Sequence, residues 1–124
     1  METGIELIAK ERQRQIDEEG WSFNHDDNHI NDEMALAAAC YAIPEQEREY
    51  IDTENGGEIP EFWPWKESWW KPEYDPHYEV GTSIRGRIKE LTKAGALIAA
   101  EIDRLIRAEY TDGMTKAEEE TIID

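Results

Sequence analysis

Cationic side chains are scarce in this sequence. Thirteen lysines and arginines stand against 30 aspartates and glutamates, a net charge of −17 over 124 residues. Proteins that grip phosphate backbones or anionic membranes need the opposite balance, so non-specific binding to DNA, RNA or lipid headgroups is not expected. A small anionic ligand in a locally basic pocket stays compatible, and so does imitation of nucleic acid by the protein's own carboxylates. Cysteine is almost missing. Cys40 is the only one, which excludes an intramolecular disulfide and fits a reducing, cytoplasmic compartment. No hydrophobic run reaches membrane-spanning length. The opening METGIELIAKERQRQ is a charged amphipathic run without the apolar stretch of a secretory leader. Strand signals are nearly absent, and there is no internal repeat. The size prior gives a single domain over 1–124.

Helical periodicity is what the chain does contain. Over 4–18, Ile5, Ile8, Ala9, Arg12 and Ile16 recur at helical spacing, with Arg12 on the apolar stripe. Thr3 and Glu6 have capping-box spacing. Gly20 is a stop, and Trp21 is placed to fold back onto the helix end. The polar stretch SFNHDDNHIND, 22–32, reads as a loop in which Asn31 or Asp32 caps the next helix. That helix, about 32–42, is rich in alanine and ends at Pro44, and its small residues permit close approach of a neighbour. The longest helix is predicted over 83–110. It carries a heptad-like stripe of Ile84, Ile88, Leu91, Gly95, Ile98, Ile102 and Leu105, widened by Ala94, Leu97 and Ile106. Gly95 costs about 1 kcal/mol against Ala in a helix, so it marks a close crossing. Thr111, Asp112 and Gly113 are predicted to end that helix, leaving an acidic tail at 114–124. The expected fold is all-α: a small bundle of three main helices with a Trp/Pro-rich irregular insertion at 45–82. A segment that long without periodicity is uncommon in a compact domain and is usually functional.

Four of the five tryptophans lie in FWPWKESWWKP, 62–72. Such large rings can plug a small bundle's core or wall a cleft for a flat ligand. Trp65 and Trp69, four apart, would share a face on a helical turn. Aromatic faces stack on bases, and nearby cations can hold phosphate. Two further patterns carry possible chemistry. HDDNH, His25 to His29, contains metal-ligand residue types, although its other reading is a solvated loop. Glu33 and Glu101 sit on apolar helices, where a carboxylate must be paired or metal-bound. Cys40, among alanines, reads as a small buried hydrophobe rather than a nucleophile.

At ERQRQIDEEGW, HDDNHINDEMALAAACYA and KAGALIAAEIDRL the sequence resembles a family of small phage and prophage proteins. These share an ERxRQI–EGW start, a HDD–H loop, an alanine-rich helix, a WPW–WWKP stretch and a KAGALI–AEI–RL helix. The resemblance covers most of residues 10–107 and implies phage origin, hence action in the host cytoplasm, more than an activity. The helical pair resembles the all-α NTP pyrophosphohydrolases similar to MazG, which hold magnesium with ExxE and ExxD motifs on packed helices. By that resemblance Asp26, Asp32, Glu33 and Glu101 would bind Mg2+. The pattern departs here, since Leu36 follows Glu33 and Arg104 follows Glu101 at the third position. KERQRQIDEEGWSF and IPEQEREY are similar to pieces of the RyR repeat, a helical module that can bind adenine nucleotides, without its His-Pro and Pro-Tyr signature.

The leading expectation is a phage-type protein that binds, and so sequesters, a nucleotide or nucleotide-derived immune signal without catalysis or cofactor. Trp65 and Trp69 would stack on the base beside Trp21 and His25, with Arg12, Arg85 or Lys89 on phosphate. The alternative is a Mg2+-dependent nucleotide pyrophosphohydrolase with Asp26, Glu33 and Glu101 as ligands. A third is an acidic nucleic-acid mimic that inhibits a host DNA-binding protein. Narrow apolar stripes point to a homo-oligomer. No direct nucleic-acid or membrane partner is expected.

Overall fold

The computed structural model describes residues 1–73 and 82–123, with side chains through Thr111. The elements are α1 (Gly4–Glu18), α2 (Phe23–Asp27), α3 (Glu33–Ala42), β1 (Tyr50–Asp52), β2 (Glu58–Pro60) and α4 (Ile84–Ile123). Single 3-10 turns lie at Glu45–Glu47 and Glu67–Trp69. The chain is predominantly helical, but it is not a clean three-helix bundle. Within the 22–32 stretch read as loop, Ser22 caps the short α2 by accepting from the His25 N–H. Within the 45–82 stretch read as irregular, β1 and β2 pair antiparallel with Tyr50 opposite Pro60 and Asp52 opposite Glu58. The hairpin turns at Gly56, whose φ of +82° favours glycine. Residues 74–81 of that stretch lie outside the described residues. No described helix is long and apolar enough to cross a membrane.

α4 is the spine, and α3, α1 and α2 all pack against it. α3 buries Met34, Ala37, Ala38 and Tyr41, spaced i, i+3, i+4, i+7, together with Cys40. They meet Ala94, Leu97 and Ala100 of α4. Small residues on both faces let the backbones approach, and burial of these side chains contributes about 25 cal/mol per Å² of apolar area. α1 crosses α4 at Gly95, where an added Cβ would run into the Ile8 side chain. The Thr3–Glu6 capping box forms, and Gly20, at φ +71°, turns the chain so that the Trp21 N–H donates to the Gln15 carbonyl.

Three expectations for the helices need correcting. α4 does not stop at Thr111–Gly113. Its backbone continues helically to Ile123, since one glycine lowers helix stability without breaking the hydrogen-bond ladder. Its predicted stripe is only partly the buried face: Ala94 and Leu97 are covered and Gly95 meets Ile8, but the large members are not. Ile84, Ile88, Leu91, Ile98, Ile102, Leu105 and Ile106 are exposed, while Glu90, Ala94, Ala96, Leu97, Ala100 and Glu101 are buried. Asp32 precedes α3 in a left-handed conformation at φ 63° and makes no side-chain cap. The Glu33 carboxylate instead accepts from the Asn31 N–H.

The buried charges tie these elements together. Glu90, fully buried, pairs with Arg48 and Arg87 and accepts from the Glu73 N–H. The two arginines donate to the carbonyls of Cys40, Tyr41 and Ala42 at the end of α3. Cations thus satisfy the orphan carbonyls and the negative end of that helix.

Candidate functional site

The tryptophans divide between two jobs. Trp63 is 7% exposed, and its Nε1–H donates to the Lys66 carbonyl at 3.0 Å. It packs edge-on against Tyr41 and lies beside Trp70, over which Arg48 sits. These rings close the core. Trp69 turns the other way, and Trp65 stands between the two groups, edge-on to Trp63 and packed against the core. With Trp21, His25, His29, Pro64 and Lys66 they line a pocket of about 420 Å³, within the usual range for small-molecule sites. The tight Glu67–Trp69 turn, following Pro64, brings Trp65 and Trp69 to one wall.

The opposite wall comes from α2 and its flanks. Gly20 delivers Trp21, which stacks on His25 with centroids 5.4 Å apart and planes 6° from parallel. His29 lies edge-on to His25 at 4.7 Å and tilted against Trp65 at 5.4 Å. Beneath them Asp26 is fully buried, bound to Arg12 of α1 at 2.5 Å and to His25 Nδ1 at 2.9 Å. This ion pair anchors α2 on α1 and fixes the histidine from behind. Arg107 of α4 holds α2 from its far side by pairing with Asp27 and covering the Phe23 ring.

Of the residues expected at a ligand site, Trp21, His25, Trp65 and Trp69 come together. Arg12 stands behind the pocket, its charge committed to Asp26. Arg85 and Lys89 are exposed on the first turns of α4 and do not line it. The four carboxylates considered for magnesium do not converge: Asp26 has Arg12 and His25, Glu33 has Asn31 and His29, Glu101 has Arg104, and Asp32 is exposed at the start of α3. Glu101 is thus buried and paired, and its hydrogen bond raises the Arg104 pKa. Among the described residues no group of three or more His, Cys, Asp or Glu side chains is placed to hold a metal ion. His29, Pro64 and Lys66 are the pocket residues beyond that expected set. The i, i+4 spacing of His25 and His29 was the available signal for the first. Cys40 is buried, and burial pushes its thiol up to about 11, so it is inert as a nucleophile.

No protein-family model matches this chain, and no curated protein or solved structure matches it significantly.

Proposed function

We propose that this protein binds a nucleotide-type small molecule through its base and holds it without turning it over. The reading rests on one observation, an open pocket whose walls are three tryptophans and two histidines with a single lysine at its edge. Rings of this kind accept a flat heteroaromatic group by stacking, worth about 1–3 kcal/mol per base. Lys66, rather than Arg12, Arg85 or Lys89, is the cation placed to meet a phosphate. The phage resemblance fits sequestration of a signal in an infected cell. The separate pairing of Asp26, Glu33 and Glu101 favours binding over magnesium-dependent hydrolysis. Equilibrium dialysis against linear and cyclic nucleotides, with mass-spectrometric recovery of the ligand, tests both parts. Retention of an unaltered nucleotide is the expected result. No binding across the panel removes the proposal, and recovery of a cleaved product restores the hydrolase.

The protein also self-associates in this reading. Ile98, Ile102, Leu105 and Ile106 are each about half exposed on α4, beyond the point where Ile8 of α1 covers Gly95. Their 3–4 spacing is that of a helix–helix seam, and a second copy of α4 offers the matching pattern. Light scattering on the wild type and Leu105→Glu would give a dimer and a monomer respectively. A monomeric wild type excludes the seam.

A further inference from the structure

We infer that His25 and His29 form a binding site for a divalent late transition-metal ion, with zinc as the type case. Their Nε2 atoms face each other at 3.4 Å. Each ring's other nitrogen is set against a carboxylate, His25 Nδ1 at 2.9 Å from Asp26 Oδ1 and His29 Nδ1 at 3.2 Å from Glu33 Oε2. A carboxylate only accepts hydrogen bonds, and a bare Nδ1 there would oppose lone pair to negative charge. The His25 proton therefore belongs on the Nδ1 that bonds Asp26, and the charge of Glu33, whose Oε2 makes no hydrogen bond of its own, draws the His29 proton to that ring's Nδ1, which leaves both lone pairs on Nε2. Two acceptors held 3.4 Å apart have nothing to offer each other. They do suit a cation between them. Zinc–nitrogen bonds of about 2.0–2.1 Å at a tetrahedral angle place their nitrogens roughly 3.3–3.4 Å apart.

The surroundings have the character of a metal site's supporting shell. Carboxylate–histidine–metal relays fix the tautomer and raise the basicity of the ligating nitrogen. Asp26 is itself locked by Arg12, and the His25 ring is held by its stack on Trp21. The i, i+4 histidine spacing equals that of helical zinc-binding pairs, with His25 on α2 and His29 just past its end. Imidazole nitrogens select zinc, copper, nickel or cobalt over magnesium, which prefers oxygen. Both rings line the pocket, so the remaining coordination positions go to water or to an atom of a pocket ligand. The inference does not depend on the nucleotide reading.

The test uses zinc and cobalt alone, with no nucleotide present, at moderate salt to screen the acidic surface. Calorimetry on the wild type is expected to show one site per chain, weakened more than tenfold in both His25→Gln and His29→Gln and unaffected by excess Mg2+. On the wild type, zinc should also shift the imidazole nitrogen resonances of these two histidines, a readout that survives if a variant fails to fold. Equal zinc binding by wild type and a variant carrying both His25→Gln and His29→Gln would overturn the inference, assigning the metal to surface carboxylates. Absence of zinc binding would overturn it as well, leaving the pair bridged by a shared proton.

Discussion

Trp63 and Trp69 lie six residues apart, and substituting each by alanine should have opposite consequences. Trp63 is 7% exposed and hydrogen-bonded, whereas Trp69 is 45% exposed on the pocket wall. Truncating a buried tryptophan costs about 3–5 kcal/mol, and loss of its bond to the Lys66 carbonyl adds about 1 kcal/mol. That is a large share of the roughly 5–15 kcal/mol a domain has, so Trp63→Phe, which keeps most of the ring area, is the more informative variant at about 1–2 kcal/mol. Trp69→Ala should lower stability by less than about 1 kcal/mol. It should weaken a stacked nucleotide by about 1–3 kcal/mol, or about 5- to 150-fold in Kd. Urea unfolding followed by circular dichroism gives the first quantity and equilibrium dialysis the second. If Trp69→Ala unfolds as easily as Trp63→Ala, the division between core and pocket is wrong. If it folds normally and binds with unchanged affinity, stacking on that wall is refuted.

Glu90→Ala should destabilise by about 3–5 kcal/mol, because it leaves the buried Arg48 without its carboxylate and frees the partly exposed Arg87, with Glu90→Gln less severe; denaturant midpoints check the order. Gly95→Ala adds about 1 kcal/mol of helix propensity but drives a Cβ into Ile8, so a net loss of about 1 kcal/mol is expected. In an Ile8→Ala background the same change should become stabilising, and a double-mutant cycle without that reversal contradicts the crossing. Burial pushes the Tyr41 hydroxyl up from 10 to about 12, so the folded state keeps a proton that the unfolded chain gives up. Its stabilisation is fully present below pH 10 and is lost between pH 10 and 12, by about 2–3 kcal/mol. Tyr41→Phe should flatten that alkaline decline in a pH series of urea melts.

The helices of the first 42 residues were legible because their signals are local. The Thr3–Glu6 box, the Gly20 stop and the alanine face of α3 depend on nearest neighbours along the chain. The hairpin was hidden because Tyr50–Asp52 and Glu58–Pro60 are too short to show alternation, although Asn55-Gly56 between them was a turn signal. The misread face of α4 has a different cause. Periodicity shows that an apolar stripe exists, not which partner covers it. The alanine side of α4 wins the intramolecular contact because α3 is itself built of alanines, and two small faces pack closer than a small face against isoleucines. The pocket was half legible. Its rings were visible as a cluster, but of the arginines expected beside them Arg12 is drawn to Asp26, 14 residues away, and Arg85 stays exposed on α4, a choice that only tertiary structure makes.

The fate of those arginines constrains what the pocket can accept. With 13 cations against 30 acids, nearly any buried arginine finds a carboxylate, and here Arg12, Arg48, Arg87 and Arg104 all serve as clasps between or within helices. Among the described residues Lys66 is the one lysine lining the aromatic pocket, and Lys71 sits over the Trp69 ring. A ligand with several phosphates would face an overall field of −17 with little local compensation. Two outcomes follow. A ligand bound by the rings and Lys66 alone carries little charge, so affinity should be similar for a nucleoside and its monophosphate, fall with each added phosphate, and recover at high salt. If a divalent ion occupies the His25–His29 pair, it supplies the missing positive charge, and zinc should tighten a triphosphate far more than a nucleoside. Measuring nucleoside and triphosphate affinities with and without zinc separates these cases. Equal zinc dependence for both ligands would show that the metal and the phosphates do not meet.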